Sequence, residues 1–346
     1  MTTVIHEIFD MNSSPNSIAT TRFVTATVSS LKVSIIIPVK KISGFLLEAL
    51  PHLQKLDWPS YEIIIVIDDK PKKTAWPKTR FIMSGPMGPA QKRDLGAKHA
   101  HGQILAFMDD DAFPMSDWLK QAVRHFRHNR VAAVGGPGVT PPQAGFWEQA
   151  SGWVSASPLG AGPHTYRFLP QKQRLVDDYP SMNLLIRKLD FIQVGGFDSH
   201  YYPGEDTKLC LDLIKLGRKI VYEPKAVVYH HRRPLWWPHL KQHGSFGLHR
   251  GFFARKFPQT SARLVYFMPS ALVLVIALFL LGGLGWSFLK SISQLSLLIY
   301  GGLLVVNSLW IGYASKNIQL VLICLPAVFL THFWYGIKFL QGFLMK

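Results

Sequence analysis

The chain has 346 residues, enough for about two domains on a prior of roughly 150 residues each. Its 38 Lys and Arg outnumber 21 Asp and Glu, and the formal net charge of +17 favours anionic partners such as nucleotide phosphates, nucleic acid or an acidic membrane surface. The two cysteines, Cys210 and Cys324, are far apart in sequence, so neither a disulfide framework nor a zinc cluster is expected.

The first part of the chain alternates apolar strands with a helix. Residues 1–30 lack a charged region followed by an apolar one, so no cleaved signal peptide is expected. The runs KVSIIIPV (32–39) and YEIIIVI (61–67) predict buried strands, and leucines at helical spacing lie between them. This order indicates a parallel α/β sheet, whose ligands bind beyond the carboxyl ends of the strands. Asp68 and Asp69 follow the second strand at such an end.

A second acidic group follows a basic helix. Lys92 and Arg93 lie in the first turns of that predicted helix, where backbone donors and the dipole favour anions. A strand over 104–108 then leads directly into the acidic run DDD (109–111). Adjacent carboxylates repel one another, so the run predicts a divalent cation that carries phosphate oxygens. A solvated turn that caps the next helix is the alternative.

The second half of the sequence contains an acidic pair and a histidine pair that are candidates for catalysis or metal binding. Residues 141–180 are rich in Pro, Gly, Ser and aromatic residues, which predicts a long irregular segment, and such a segment is usually either functional or mobile. Glu205 and Asp206 follow a Gly turn and begin an amphipathic helix, so they are candidates for proton abstraction as well as for helix capping. A predicted strand pair ends in His230 and His231, although a histidine at a strand end is more often a surface residue than a metal ligand.

The C-terminal part has the composition of a membrane region. Three apolar runs cover approximately 264–286, 293–314 and 318–343. Each has about 22 to 26 residues, enough to cross a hydrocarbon core of roughly 30 Å, and none has the polar face of a soluble helix. The basic and aromatic segment 234–262 predicts an interfacial helix that contacts membrane lipids. Nucleic-acid binding is disfavoured because the segment adjoins the apolar runs.

The ordered motifs resemble those of the inverting family 2 glycosyltransferases of the GT-A fold. They are IIIPV, IDD, KRDLGA, FMDDDAFP, NLLIRK, GGFD, GEDTKLCLDLIKLG and VVYHH, and together they are far more specific than any one of them. The resemblance implies a Rossmann-like α/β domain with a mostly parallel sheet, followed by an all-α transmembrane region. The expected division is an N-terminal segment (1–31), the GT-A domain (32–233), an interfacial segment (234–262) and about three transmembrane helices (263–346).

The resemblance also implies roles for individual residues. In the family, the first acidic pair holds the base or ribose of a nucleotide sugar, an Asp-x-Asp signature binds Mg²⁺ or Mn²⁺ with the diphosphate, and a late acidic pair supplies the catalytic base. The residues implied are, for the donor, Pro38, Asp68, Asp69, Lys92, Arg93, Asp109, Asp110 and Asn183; for the metal, Asp109, Asp111, His230 and His231; and for proton abstraction, Asp206 with Glu205 beside it. Asp110 is expected to point away from the metal or to touch the ribose.

Some positions depart from the usual pattern of that family. Lys70 and Pro71 replace a small residue and Ser after the first acidic pair, and Asp94 replaces an Asn in the central helix. The Gln-x-x-Arg-Trp motif of processive synthases is missing, and KQHGSFGLHRG (241–251) occupies the region where it would lie. Processive synthesis is therefore not expected.

The expected function is transfer of a sugar from a nucleotide-sugar donor to a lipid-linked or surface-glycan acceptor, by metal-assisted single displacement. Two alternatives remain open, a catalytically silent membrane-tethered binding or scaffold protein of the same fold and a nucleotidyltransferase-like enzyme. The basic segment before the first apolar run predicts a multi-pass protein of the cell membrane with its catalytic domain on the cytoplasmic side. The sugar, the base and the acceptor are not specified by the sequence.

Overall fold

A computed structural model describes residues 31–71, 75–282 and 287–345 of the chain. The expectation of no cleaved signal peptide concerns residues 1–30 and lies outside the described residues. The remaining part forms an α/β domain that is followed by long helices.

Eleven strands form two sheets among the described residues. They are β1 (Val33–Pro38), β2 (Tyr61–Ile67), β3 (Thr79–Met83), β4 (Ile104–Met108), β5 (Ala112–Pro114), β6 (Val131–Gly135), β7 (Gly138–Val139), β8 (Arg174–Val176), β9 (Asn183–Arg187), β10 (Lys219–Tyr222) and β11 (Val228–His230). The large sheet has the order β3-β2-β1-β4-β9-β6-β10-β8, and all its strands except β8 and β9 run in one direction. The prediction of an α/β domain with a mostly parallel sheet is confirmed.

Helices cover both faces of the large sheet. They are α1 (Gly44–Gln54) and α3 (Trp118–Val123) on one face, and α2 (Pro89–His99), α6 (Lys188–Gln193) and α7 (Glu205–Lys215) on the other. Two further helices, α4 (Phe146–Ala156) and α5 (Pro158–Ala161), pack against the C-terminal helices instead. In β1, Ile35 and Ile37 belong to one apolar core, whereas Ile36 belongs to the core on the opposite face. Because successive side chains of a strand point to opposite faces, a strand buried on both sides is apolar throughout. The polar residues therefore collect beyond the strand ends.

The small sheet lies beside that edge and has the order β5-β11-β7. Strands β11 and β5 are antiparallel, and their register places His230 opposite Ala112. His230 is thereby brought next to Asp111, which immediately precedes β5. The predicted strand pair before His230 is divided between the two sheets, because β10 joins the large one and β11 the small one.

The segment 141–180, predicted to be irregular, contains the eleven-residue helix α4. The amide of Gln149 donates to the carbonyl oxygen of Pro141 at 2.7 Å, which fastens the helix to the preceding turn. Ala150 and Val154 lie one turn apart, and both are buried against the C-terminal helices. The helix was missed because its partner surface comes from the far end of the chain.

The C-terminal part consists of α8 (Trp237–Lys256), the short α9 (Pro258–Ser261), α10 (Leu264–Gly282), α11 (Ser287–Ser315) and α12 (Gln319–Leu344). By length and composition, α10, α11 and α12 are able to cross a membrane. Their positions agree with the three predicted apolar runs.

Helix α8 lies against α12 through a row of glycines. A Cβ atom at Gly247 would stand 2.6 Å from the carbonyl oxygen of Tyr335, and one at Gly251 would stand 2.1 Å from that of Phe339. From the other side, a Cβ at Gly342 would stand 1.8 Å from the carbonyl oxygen of Leu248. The two backbones are therefore in direct contact, which joins the segment after the α/β domain firmly to the last of the three long apolar helices.

Substitution of one glycine tests this contact. We expect Gly251→Ala to lower the free energy of unfolding by about 1–3 kcal/mol, because the added methyl group overlaps backbone atoms that have no rotamer to change. The measurement is thermal unfolding of the purified protein in detergent. Gly302→Ala on α11 is the matched control, since no described atom lies within 4 Å of its Cβ position. Equal melting temperatures for the two variants would contradict the close packing.

Candidate active site

Three predicted metal ligands meet beyond the end of β4. Oxygen or nitrogen atoms of Asp109, Asp111 and His230 all lie within 4.8 Å of one another. The Nε2 atom of His230 is 3.1 Å from Oδ1 of Asp111, and a guanidinium nitrogen of Arg233 is 3.2 Å from the other oxygen. Two carboxylates and an imidazole are the oxygen and nitrogen donors that suit Mg²⁺ or Mn²⁺. The donor set therefore fits a divalent cation of this kind.

The three consecutive aspartates do not act as one unit. The hydroxyl group of Ser43 lies 3.4 Å from Oδ2 of Asp110, so that carboxylate points toward the start of α1 and away from the other two. Burial and the charges of Asp111 and Asp109 raise the pKa of Asp110 to about 6. Burial acts in the same sense on Asp111, but His230 and Arg233 outweigh it and hold the pKa of Asp111 below its usual range. Asp111 is consequently ionised at neutral pH.

His231 is not part of this cluster, which corrects the expectation that it could serve as a metal ligand. Its Nδ1 atom lies 2.8 Å from Glu148 and its Nε2 atom 3.0 Å from Glu48. Neighbouring residues at a strand end point to opposite sides, so only one of the two histidines can face the aspartates. His231 instead links α1 to α4.

Two buried cations organise the acidic groups. Arg93 is buried in α2 and donates from one guanidinium nitrogen to Asp109 at 2.6 Å and from the other to Glu205 at 3.0 Å. Lys92 is equally buried and pairs with Asp68. In this structure the charged groups of both residues hold carboxylates, and their contact with the donor's phosphates stays a prediction. Arg93 connects the metal cluster to the acidic pair of α7.

The acidic pair begins α7. Glu205 is 4% exposed and is held by Arg93, whereas Asp206 is partly exposed and accepts a hydrogen bond from the backbone of Thr207 at 2.7 Å. Burial and the repulsion between the two side chains raise the pKa of Glu205, and burial with the charge of Asp178 raises the pKa of Asp206. A carboxylate with a raised pKa is a stronger base. Asp206 is the member of the pair that a substrate can reach.

A pocket lies beside the end of β2. It has a volume of about 460 Å³ and is lined in part by Asp69, Lys70, Lys40 and Trp76. Asp69 is exposed there, and its contact with a nucleotide stays a prediction. Pro38 is buried at the end of β1, so its side chain does not reach the surface.

Asn183 does not line the site, which corrects its expected role in donor binding. It is completely buried, and its amide nitrogen donates to the carbonyl oxygens of Gly136 at 2.7 Å and of Ala226 at 2.8 Å. Its side-chain oxygen accepts from the indole of Trp118 at 2.8 Å. Because every polar atom of the side chain is engaged inside the domain, Asn183 joins the two sheets.

Sequence reasoning missed Asp178, which contacts Thr207, the residue that follows the acidic pair. Its Oδ1 atom accepts from the hydroxyl of Thr207 at 2.9 Å, and its Oδ2 atom lies 3.0 Å from Arg250 of α8. Arg167 is a second cation at 3.3 Å. No local motif marks this group, because Asp178 stands next to Asp177 in the mixed polar sequence QRLVDDYPS (173–181).

Comparisons with known proteins concern the family and the fold. Residues 34–191 match the family model for glycosyl transferase family 2. A pre-mycofactocin glycosyltransferase from Mycobacterium tuberculosis is 31% identical over 178 residues, which is 51% of this chain and 37% of that protein. A glucosyl-dolichyl phosphate glucuronosyltransferase from Haloferax volcanii is 24% identical over 156 residues, or 41% of this chain and 47% of that one.

Among solved structures, the mannosyltransferase of Pyrobaculum calidifontis in complex with GDP-Man and Mn²⁺ matches with a TM-score of 0.57 and 17% identity. The match covers 87% of each chain, so the likeness of fold extends beyond the α/β domain. At this identity the likeness concerns the fold alone. Residues 34–191 thus match glycosyl transferase family 2 within a domain of GT-A-like fold, and this domain is followed by three helices long and apolar enough to cross a membrane.

Proposed function

We propose that the protein is a membrane-bound inverting glycosyltransferase that uses a nucleotide-sugar donor and a lipid-linked or surface-glycan acceptor. The observation that carries the proposal is the meeting of Asp109, Asp111 and His230 within 4.8 Å, with Arg93 joining this cluster to the acidic pair that contains Asp206. A binding protein without activity needs the first group but has no use for a reachable carboxylate with a raised pKa. The division into segments 1–31, 32–233, 234–262 and 263–346 belongs to this proposal.

The proposed reaction is one displacement at the anomeric carbon. Asp206 removes the proton of an acceptor hydroxyl as its oxygen attacks, and the nucleoside diphosphate leaves from the opposite face, so the configuration inverts. Asp109, Asp111 and His230 would hold Mg²⁺ or Mn²⁺, which supplies positive charge to the diphosphate. Arg233 is 49% exposed beside Asp111 and is available to add further charge.

The acceptor and the orientation are inferred from the membrane region. Helices α10, α11 and α12 follow α8 and α9, and α8 carries basic and aromatic residues ahead of the first of them. Positive charge before a span favours the cytoplasmic side, where nucleotide sugars are made available. The acceptor hydroxyl is therefore expected on a molecule held at the inner membrane surface.

A donor screen tests the proposal. The full chain is purified in detergent and incubated with Mn²⁺, membrane lipid extract and a panel of nucleotide sugars, each labelled once in the sugar and once in the nucleotide. Label transferred from the sugar to the lipid fraction supports a glycosyltransferase. Transfer of the nucleotide label would favour a nucleotidyltransferase, and donor binding without any turnover would favour a silent binding protein.

A further inference from the structure

The catalytic pair rests on the membrane-associated helix α8 and not only on the α/β domain. A Cβ atom at Gly204, the residue before α7, would stand 2.8 Å from the ring of Phe253. The ring of Tyr201 meets Phe253 and Phe257 edge-on, with centroids 5.8 Å and 5.2 Å apart. The turn that presents Glu205 and Asp206 is therefore packed on side chains of the segment that leads into the membrane.

A buried ion pair strengthens this contact. The carboxylate of Asp178 binds the hydroxyl of Thr207 through one oxygen and Arg250 through the other, and its side chain is 5% exposed. Thr207 directly follows Asp206, and the backbone nitrogen of Ser181 lies 3.3 Å from Oδ2 of Asp206. One carboxylate thus connects the first turn of α7 to α8.

Charged groups from several elements affect the protonation of Asp206. Asp178 and Glu205 are like charges that favour its protonated form, whereas Arg93 on α2 and Arg250 on α8 favour its ionised form. The phenol of Tyr202 and the thiol of Cys210 also interact with Asp206. Arg250 and Asp178 therefore act on the carboxylate in opposite directions.

We propose that Asp178 and Arg250 are positioning residues, which fix the base-bearing end of α7 to α8 and so make the proposed reaction depend on the membrane-associated part of the chain. This inference rests on the proposed function. A purely structural ion pair would affect stability and expression only. A positioning pair also sets the turnover number and the pH at which the base becomes protonated.

The opposite electrical effects allow a directional test. Arg250→Gln removes a charge that favours ionised Asp206, so the acidic limb of the pH profile of kcat should move to higher pH by roughly 0.5 to 1 unit. Arg167 continues to pair with Asp178 in this variant, at 3.3 Å, so the protein should still fold. Asp178→Asn removes a charge that favours protonated Asp206, so the limb should move to lower pH.

Three further variants complete the experiment, which uses the full chain in detergent and the donor found in the screen. The double variant should return the limb toward that of the wild type, Arg250→Lys should retain most of the wild-type profile, and Arg255→Gln, on the exposed face of the same helix, should leave the profile unchanged. Binding of Mn²⁺ with the nucleoside diphosphate, measured by calorimetry, should stay within about twofold in Arg250→Gln, while kcat falls by about tenfold or more.

The results separate the inference from the function on which it rests. No turnover of any donor by the wild type would overturn the proposed function. Wild-type turnover with Arg250→Gln and Asp178→Asn profiles that stay in place, or that move in the same direction, would overturn the positioning role alone. A loss of diphosphate binding in Arg250→Gln that matches its loss of kcat would likewise overturn it, because the pair would then support the donor site.

Discussion

Asp206→Asn is expected to reduce sugar transfer by about 10² to 10⁴-fold, the usual contribution of a general base. An amide cannot take the proton of the acceptor hydroxyl. The donor site should survive, since Asp206 is not part of the metal cluster and Arg93 is held by Asp109 and Glu205. The substitution also removes the repulsion with Glu205, so stability should not fall. The measurement pairs kcat with calorimetric binding of Mn²⁺ and the nucleoside diphosphate.

The wild-type pH profile gives a second measure of the same residue. Burial and Asp178 raise the pKa of Asp206, and only the ionised form acts as a base. Activity should therefore decline as the pH falls through this raised pKa, at a higher pH than for an ordinary carboxylate.

Asp212→Asn is the matched control for this prediction. It removes a carboxylate from the same helix, at a position where Asp212 pairs with Lys208 and Lys215 at the surface. Near-normal turnover in Asp206→Asn, or an equal loss in Asp212→Asn, would contradict the assignment of the base.

The features that could be predicted from the sequence are those with a local pattern. The strands β1, β2 and β4 are continuous apolar runs, and the acidic residues after β2 and β4 mark the strand ends where a ligand binds. The three long C-terminal helices could be predicted in the same way, because crossing a hydrocarbon core requires an apolar run of a given length.

Residue roles that depend on distant partners could not be predicted. Asn183 lies in a motif of the expected order, yet its partners Gly136 and Ala226 are 47 and 43 residues away, and they engage its amide inside the domain. For His230 and His231, the alternation of side chains says that one faces the cluster but not which one. The register of β11 with β5 decides that.

The contacts between the α/β domain and the C-terminal helices could not be predicted from the sequence for the same reason. Arg250 and Asp178 are 72 residues apart, and no sequence motif around either residue indicates the other as its partner. The contacts of α4 and of α8 could not be predicted, because each helix packs on residues that are distant in sequence. Lys92 and Arg93 show the converse, since their basic character was evident but their burial beneath the carboxylates was not.

Asp111→Ala should lower the affinity for Mn²⁺ by on the order of 100-fold or more, and donor binding that depends on the metal should be lost with it. The substitution takes away one of the two carboxylates of the cluster and leaves His230 and Arg233 without their partner. The Arg233 guanidinium then faces the place of the metal ion without its carboxylate partner, so repulsion adds to the loss of a ligand. Calorimetry with Mn²⁺ and a nucleoside diphosphate measures both effects.

The adjacent residue provides a control of nearly the same charge and position. Asp110 lies next to Asp111 but points toward Ser43, so Asp110→Asn should change the Mn²⁺ affinity by less than about threefold. If the acidic run were only a solvated turn, the two variants would behave alike and a chelator would leave activity unchanged. A large difference in Mn²⁺ affinity between the two variants is expected only if the side chains point in different directions. Asp111 then belongs to the metal cluster, and Asp110 lies beside Ser43.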